Sequence, residues 1–277
     1  NNGTSLVIAI NWLIMKINFS KYQGAGNDFI IIDDREKLFP VSTELINKLC
    51  NRHFGIGADG LMLLSNTSDG DFLMRYFNSD GNESTMCGNG GRCITHFANK
   101  LGIIESSTVF WGIDGVHNAE LTDKDYVRLK MKDVEEIQII DDNYFIDTGS
   151  PHYVSFVRDV DAIDVNREGK LIRQSINLNN GGTNVNFIQV IENDTIKIRT
   201  FERGVEAETL ACGTGAVASS IAYVLYFEVD KNRIKLIAPG GELLVTFDRK
   251  DSTNFNNIWL EGPAKHVFDG TIDPSQI

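Results

Sequence analysis

One device is written twice in this chain, and that duplication restricts the fold more than any composition figure. "TMCGNGGRC" (Thr85–Cys93) and "LACGTGAVA" (Leu210–Ala218) each set a cysteine directly before a glycine-rich turn that opens a helical pattern. The surroundings repeat in the same order. In the first half "GAGNDFII" (24–31) precedes the strand-like "MRYFN" (74–78) and then "CGNGGR". In the second half "GTNVNFIQ" (182–189) precedes "IRTFE" (198–202) and then "CGTGAV". Self-similarity of this kind marks duplicated structural units, so the sequence predicts two pseudo-symmetric domains. With 277 residues, each half is long enough to bury a core.

We expect the first domain over 15–131 together with 263–277 and the second over 132–262. The acidic "KDVEEIQIIDDN" (132–143) serves as the crossover, and the closing "EGPAKHVFDGTI" (261–272) returns to the first domain, since chain termini commonly lie together. Between the cysteine motifs the chain reads as short apolar or alternating runs separated by glycine turns, among them "DFIIID", "FLMRYF", "NFIQVI", "TIKIRTF" and "ELLVTF", as strands do. Three segments read as helices: 43–52 with Ser42 as N-cap, 88–100 and 214–227. Few helices among many strands predict an α+β fold in which each sheet wraps a helix.

A formal net charge of −12 and a pI near 4.9, with no basic run, exclude binding to a phosphate backbone. "LVIAINWLIM" (6–15) is the longest apolar run, but its ten residues are about half a membrane span. It has no Lys or Arg ahead of it, so it makes a poor signal peptide. Residues 1–14 are expected to be an upstream extension, with Met15-Lys16 as a natural start and a genuine extra strand as the alternative, and the protein to be cytoplasmic. Four cysteines, without paired CxxC spacing, fit neither a disulfide scaffold nor a zinc site. "GAGNDF" lacks the Lys-Ser/Thr of a phosphate loop, and no dinucleotide fingerprint is present, so neither cofactor nor metal is expected.

A cysteine just ahead of a helix sits where unpaired N–H groups and the positive end of the macrodipole converge. There a thiol can fall from about 8.5 into a range of roughly 3.5–7.5 and become a proton acceptor. The glycines that follow let the backbone approach an anion and aim N–H groups at it. Two such thiols on opposite sides of one carbon would suit stereoinversion, with one removing a hydrogen and the other delivering one. A lone cysteine before a helix is more often a small core residue; two in matching contexts reverse that reading. Cys93 and Cys50 are expected in the core.

Over these residues the chain resembles the pyridoxal-phosphate-independent diaminopimelate epimerases. The resemblance rests on "FSKYQGAGNDFIIID" (19–33), "NRHFGIGADGL" (51–61), "YFNSDGNESTMCGNGGRC" (76–93), "GSPH" (149–152), "GTNVNFI" (182–188), "ERGVEAETLACGTGA" (202–216), "APGG" (238–241) and "EGPAKHVFDG" (261–270). It implies two domains, each a strongly curved, mostly antiparallel sheet around a central helix, and epimerisation of diaminopimelate, a precursor of lysine and peptidoglycan. By the same resemblance Cys87 and Cys212 are the catalytic thiols, and His152 and Glu202 tune their protonation. Asn27, Asn78 and Asn184 contact substrate. Gly88-Asn89 and Gly213-Thr214 form the backbone cradle for the reacting carboxylate, and Glu202-Arg203 the pair whose arginine grips the distal carboxylate. A homodimer is implied as well.

Three positions depart from that pattern. Gly60 stands where many members have Gln, Ser150 where they have Asn, and "ERGVEAET" carries one extra residue. Competing readings are a proline or hydroxyproline epimerase, which lacks a second charged end to grip, a phenazine-biosynthesis-like isomerase, which works through carboxylates, and a non-catalytic amino-acid-binding or thiol redox protein. Two thiols that face one carbon are close enough to join. Mild oxidation is therefore expected to inactivate the protein, and a reductant to restore it; an oxidised protein with undiminished turnover would refute the arrangement.

Overall fold

A computed structural model describes residues 16–175 and 181–277; the stretch read as an upstream extension lies outside them. The chain divides into two compact units, one running to Val127 and including Ala264–Ile277, the other Arg128–Pro263. Among the described residues no helix is long and apolar enough to cross a membrane.

The first unit contains β1 (Ile17–Gly24), β2 (Asn27–Asp33), α1 (Thr43–Cys50), β3 (Gly60–Ser65), β4 (Phe72–Asn78), β5 (Glu83–Ser84), α2 (Gly88–Lys100), β6 (Ser107–Gly112) and β7 (Gly115–Asp123). The strand β8 (Tyr126–Lys130) carries the chain onward into β9 (Ile137–Ile140), β10 (Asn143–Asp147), β11 (Pro151–Phe156), α3 (Val165–Ser175), β12 (Asn184–Glu192), β13 (Thr195–Glu202), β14 (Ala207–Thr209), α4 (Gly213–Tyr226), β15 (Arg233–Ala238), β16 (Gly241–Arg249) and β17 (Phe255–Pro263). Finally β18 (Lys265–Ile272) returns to pair antiparallel with β1.

Strand pairing exposes the duplication. In the first unit β1–β2 is antiparallel, β2–β3 parallel across α1, β3–β4 and β4–β5 antiparallel, and β4–β6 parallel across α2. In the second, β10–β11 is antiparallel, β11–β12 parallel across α3, β12–β13 and β13–β14 antiparallel, and β13–β15 parallel across α4. The antiparallel flanking pair β18–β1 corresponds to β9–β10.

This topology corrects one expected equivalence. "MRYFN" and "IRTFE" do match, as β4 and β13, but "GTNVNFIQ" is β12 and its counterpart is β3, whereas "GAGNDFII" belongs to β2, the counterpart of β11. Gly and Asn before an apolar run mark the turn that starts a strand, and several strands here start that way. The acidic crossover is likewise part of a sheet: β9 pairs with β10, and Val134 bridges Phe255. The helix α3 went unread because its sequence VNREGKLIRQS is polar and interrupted by glycine. Tertiary packing holds it, with Val165 and Ile172 set against Val185, Phe187 and Phe201.

Each unit wraps its sheet around one helix. α2 packs on β1, β2, β3, β7 and β18, and α4 on β10, β11, β12, β13, β15, β16 and β17. The helix α4, GTGAVASSIAYVLY, carries neither Lys, Arg, Asp nor Glu, and from Gly215 to Val224 it is buried all round. Small residues set how closely the strands approach: Ala216, Ala218 and Ala222 are wholly inaccessible. Adding bulk to such a packed core costs about 1–3 kcal/mol. Ala218→Leu is therefore expected to lower the urea midpoint at unchanged m-value, whereas a midpoint equal to the parent chain's would show that the sheet is not closed on α4.

Candidate active site

Cys87 is the N-cap of α2, in extended backbone conformation (φ −95°, ψ 146°). Its Sγ accepts from the Gly90 amide at 3.2 Å, and its carbonyl from Gly91 at 2.8 Å. Asn27, the first residue of β2, places Oδ1 3.8 Å from that sulfur and 3.3 Å from Asn89 Nδ2. The Asn27 amide is itself oriented by Asp59, whose Oδ2 accepts from Nδ2 at 2.6 Å. Asp59 and Asp28 share Arg52, each at 2.6 Å, and Asp28 also pairs with Lys21. Burial opposes the charged form of Asp28, yet bonds from Arg52 and Lys21 outweigh it and bring its pKa down to about 2.

Arg92, on the same helix, is wholly buried. It donates to Asn89 Oδ1 at 2.8 Å and to the Gly88 carbonyl at 3.2 Å, so it ties down both residues expected to cradle a carboxylate. Burial lowers the guanidinium's pKa, and the nearby sulfurs of Cys93 and Cys87 work the other way. Burial drives the Cys93 thiol far above its ordinary value, so Cys93 stays a neutral core residue, as Cys50 does with its thiol pushed up to about 12 by the same cause. The sequence reading missed Arg92 and Asp59. A signal for Arg92 was present: it is the one charged residue among the buried positions of its helix.

Gly60 and Asn78 face each other across β3 and β4. A Cβ at Gly60 would lie 2.5 Å from the Tyr76 ring and 2.6 Å from the Phe77 carbonyl, so Tyr76 fills the space a larger residue would need. Asn78 is exposed at the end of β4, where its carbonyl accepts from Gly81 in a tight turn.

In the second unit Cys212 precedes α4 in the same extended conformation. His152 is buried on β11, with Nε2 2.9 Å from Thr214 Oγ1 and Nδ1 3.0 Å from Asn186 Nδ2. Thr214 Oγ1 lies 3.5 Å from Cys212 Sγ. Glu202, at the end of β13, accepts from Thr209 Oγ1 at 2.7 Å and hydrogen-bonds Cys212. Asn184 donates to Ser150 Oγ (2.9 Å) and the Pro151 carbonyl (3.0 Å) and accepts from the Arg203 amide (2.9 Å). Ser150, the shorter residue at a departing position, thus holds Asn184, and Asn184 holds the main chain that carries Arg203. The Arg203 side chain is exposed and pairs with no carboxylate among the described residues. The segment "ERGVEAET" makes a five-residue turn, Glu206 N–H to the Glu202 carbonyl at 2.9 Å, with Glu206 at φ 60° and its carboxylate on Arg173 at 2.7 Å.

One electrostatic expectation changes. The start of α4 does not by itself make Cys212 a thiolate: protein crowded around the sulfur, and then the Glu202 carboxyl, push this thiol well above its ordinary value. Thr214 and Gly215 pull the other way. Burial also raises Glu202 above the usual carboxylate range and lowers His152 to about 3. Near neutral pH the pair is therefore a Cys212 thiol beside a neutral imidazole. Among the described residues no cluster of three or more His, Cys, Asp or Glu could hold a metal ion.

A duplicated frame in which each sheet closes on one helix is the architecture of a known structural class. A phenazine biosynthesis protein of the PhzF family from Bacillus anthracis superposes with TM-score 0.73 at 14% identity, covering 94% of this chain and 99% of that one. A hydroxyproline epimerase from Agrobacterium vitis superposes with TM-score 0.67 at 13% identity, covering 93% and 92%. Sequence narrows the class. The family model for diaminopimelate epimerase matches residues 19–135 and 144–267. A diaminopimelate epimerase of Flavobacterium psychrophilum is 51% identical over 91% of this chain and 98% of its own length, and that of Chlorobaculum tepidum 44% identical over 90% and 98%. The chain belongs to the diaminopimelate epimerase family.

Because the folded-state pKa of His152 lies below its ordinary 6.5, the unfolded chain binds the extra proton between about 3 and 6.5. Stability is full above that window and falls as pH drops through it. Urea midpoints at pH 7 and pH 5 are expected to differ less in His152→Gln than in the parent chain; equal differences would place the imidazole in water.

Proposed function

We propose that this chain interconverts LL- and meso-2,6-diaminopimelate by a two-base reaction, supplying lysine and peptidoglycan precursor synthesis. The observation that carries the proposal is a cysteine at the start of both central helices, in a chain 51% identical to a protein named diaminopimelate epimerase. Cys87, whose sulfur accepts the Gly90 N–H, acts as the thiolate and Cys212, beside Glu202, as the thiol. The thiolate takes the α-hydrogen as a proton, and the C–H bonding pair stays on carbon, delocalised into the carboxylate. Cys212 S–H then gives its proton to the opposite face of that carbon and becomes the anion. Protons and electrons balance with the two sulfurs alone, so the step requires no cofactor.

The α-hydrogen of an amino acid is weakly acidic, and stabilising the enediolate-like charge is the largest requirement. Gly88, Asn89, Gly213 and Thr214 form the first turns of the two helices, where the N–H groups and the positive end of the helix dipole favour an anion. Asn27, Asn78 and Asn184 orient the substrate, Asn184 by fixing the Arg203 main chain. The exposed Arg203 guanidinium fits a distal carboxylate as a fork, and proline has no such second end. The same reading makes the protein a cytoplasmic homodimer, which light scattering checks.

Purified protein incubated in D₂O with LL-diaminopimelate is expected to take deuterium at the α-carbon and accumulate the meso isomer, and to leave L-proline unlabelled. Cys87→Ser or Cys212→Ser should each lower turnover by about 10²-fold or more. Exchange into proline alone would transfer the chain to the proline epimerases; binding with no exchange into either substrate would make it a non-catalytic amino-acid-binding protein.

A further inference from the structure

Asn186 is buried on β12 and belongs to no role assigned above. Its Oδ1 accepts from Thr200 Oγ1 at 2.9 Å, and its Nδ2 donates to the Tyr153 carbonyl at 3.3 Å and lies 3.0 Å from His152 Nδ1. A threonine hydroxyl donates or accepts and would tolerate either rotation of the amide, but a main-chain carbonyl only accepts. Tyr153 therefore decides that the NH₂ end of Asn186 faces the imidazole. Nδ1 must accept, and a neutral ring then carries its single proton on Nε2. That proton is directed at Thr214 Oγ1, 2.9 Å away. Having received a hydrogen bond, the Thr214 hydroxyl keeps its own hydrogen for another acceptor, and Cys212 Sγ is 3.5 Å from it.

We infer that Asn186 is a positioning residue: by forcing the His152 proton onto Nε2 it turns the Thr214 hydroxyl toward Cys212, where it stabilises the sulfur anion left when Cys212 gives up its proton.

The duplication supplies an internal comparison. Register places Phe29 beside Gly60 and His152 beside Asn184, so the counterparts of His152 and Asn186 in the first unit are Phe29 and Met62. Two apolar side chains fill positions that need only packing; the second unit fills the same positions with a directed chain of donors. The start of α4 is shaped for it. A Cβ at Gly215 would lie 2.4 Å from Asn186 Oδ1, whereas one at the equivalent Gly90 would meet the Met62 thioether at 3.3 Å. The ionisable group facing Cys212 is Glu202, from β13; those acting on the imidazole are Asp147, at the end of β10, and Arg203, beyond β13.

The inference deepens the reaction proposed above, but its readouts need no substrate and so fail separately from the diaminopimelate assignment. In ¹⁵N-labelled protein the two His152 ring nitrogens are expected to report the Nε2–H tautomer. Asn186→Asp, an acceptor in place of a donor, should move the proton to Nδ1. In a Cys87→Ser background, the pH midpoint of iodoacetamide reaction at Cys212 should rise by about half a unit or more in Asn186→Asp, roughly a threefold loss of thiolate at fixed pH. Asn186→Ala, with no donor, should not reproduce the Nδ1–H signal. Thr214→Val should raise the Cys212 midpoint and keep Nε2–H, and it decides the matter with the parent chain if Asn186→Asp does not fold. Nδ1–H in the parent chain, or an unmoved midpoint in Thr214→Val, overturns the inference.

Discussion

The N–H groups in the first turn of a helix cannot bond to the turn before, and nearly everything at this site follows from how protein meets them where the helix is buried. In each unit the sheet closes on one helix so fully that water is kept from most of its length, the first turn included, where Asn89 and Gly90 of α2 and Gly213 and Gly215 of α4 are buried. A cysteine stands at that place twice. At Cys87 the sulfur itself accepts one of these N–H groups, from Gly90. At Cys212 the nearby Thr214 hydroxyl and Gly215 amide favour the anion, while burial and Glu202 favour the thiol. At α2 the sulfur chemistry and the packing of the core are thus two aspects of one constraint, since the side chain that caps the helix is one that can lose a proton; at α4 the Cys212 side chain makes no cap bond and takes its partners from Thr214 and Glu202.

The two units share a frame but differ in what surrounds each sulfur. Next to Cys87 the buried polar element is a cation, Arg92, fixed to Asn89 and Gly88. Its counterpart in α4 is Val217, wholly buried and apolar. Near Cys212 the polar elements are the half-buried Glu202 and the buried His152 and Asn186, whose counterparts are Asn78, Phe29 and Met62. A positive neighbour favours a thiolate and a carboxyl neighbour favours a thiol. A duplicated fold whose two halves were chemically identical would hold both sulfurs in the same protonation state, and two identical groups are poorly suited to take a proton on one side while giving one on the other.

Much of this was legible before any coordinates. The cysteine motifs lie at helix starts, Ser42 caps α1, and β4 and β13 are equivalent, because each depends on residues within a few positions of one another. Other features were hidden for definite reasons. Gly-Asn turns recur, so they aligned β2 with β12 when the true partner of β12 is β3. The polar stretch at 165–175 becomes helical through Val165 and Ile172 packing on Phe187 and Phe201 rather than through propensity. Asp59 sits inside a recognisable motif, yet its task is set by Asn27, which reaches it from another strand; Arg92 bonds Asn89 on its own helix, and its task shows only once packing has buried it completely.

By itself the sequence determined the duplication, the α+β class and the sulfur-bearing helix starts, since these are carried by spacing, periodicity and local capping, and it showed the family through the motifs it shares. Tertiary structure alone decided the protonation of the groups around those sulfurs. The pKa of Cys212, Glu202 or His152 depends on how much protein surrounds it and on which partners approach from distant strands, and neither quantity exists until the sheet has closed around its helix.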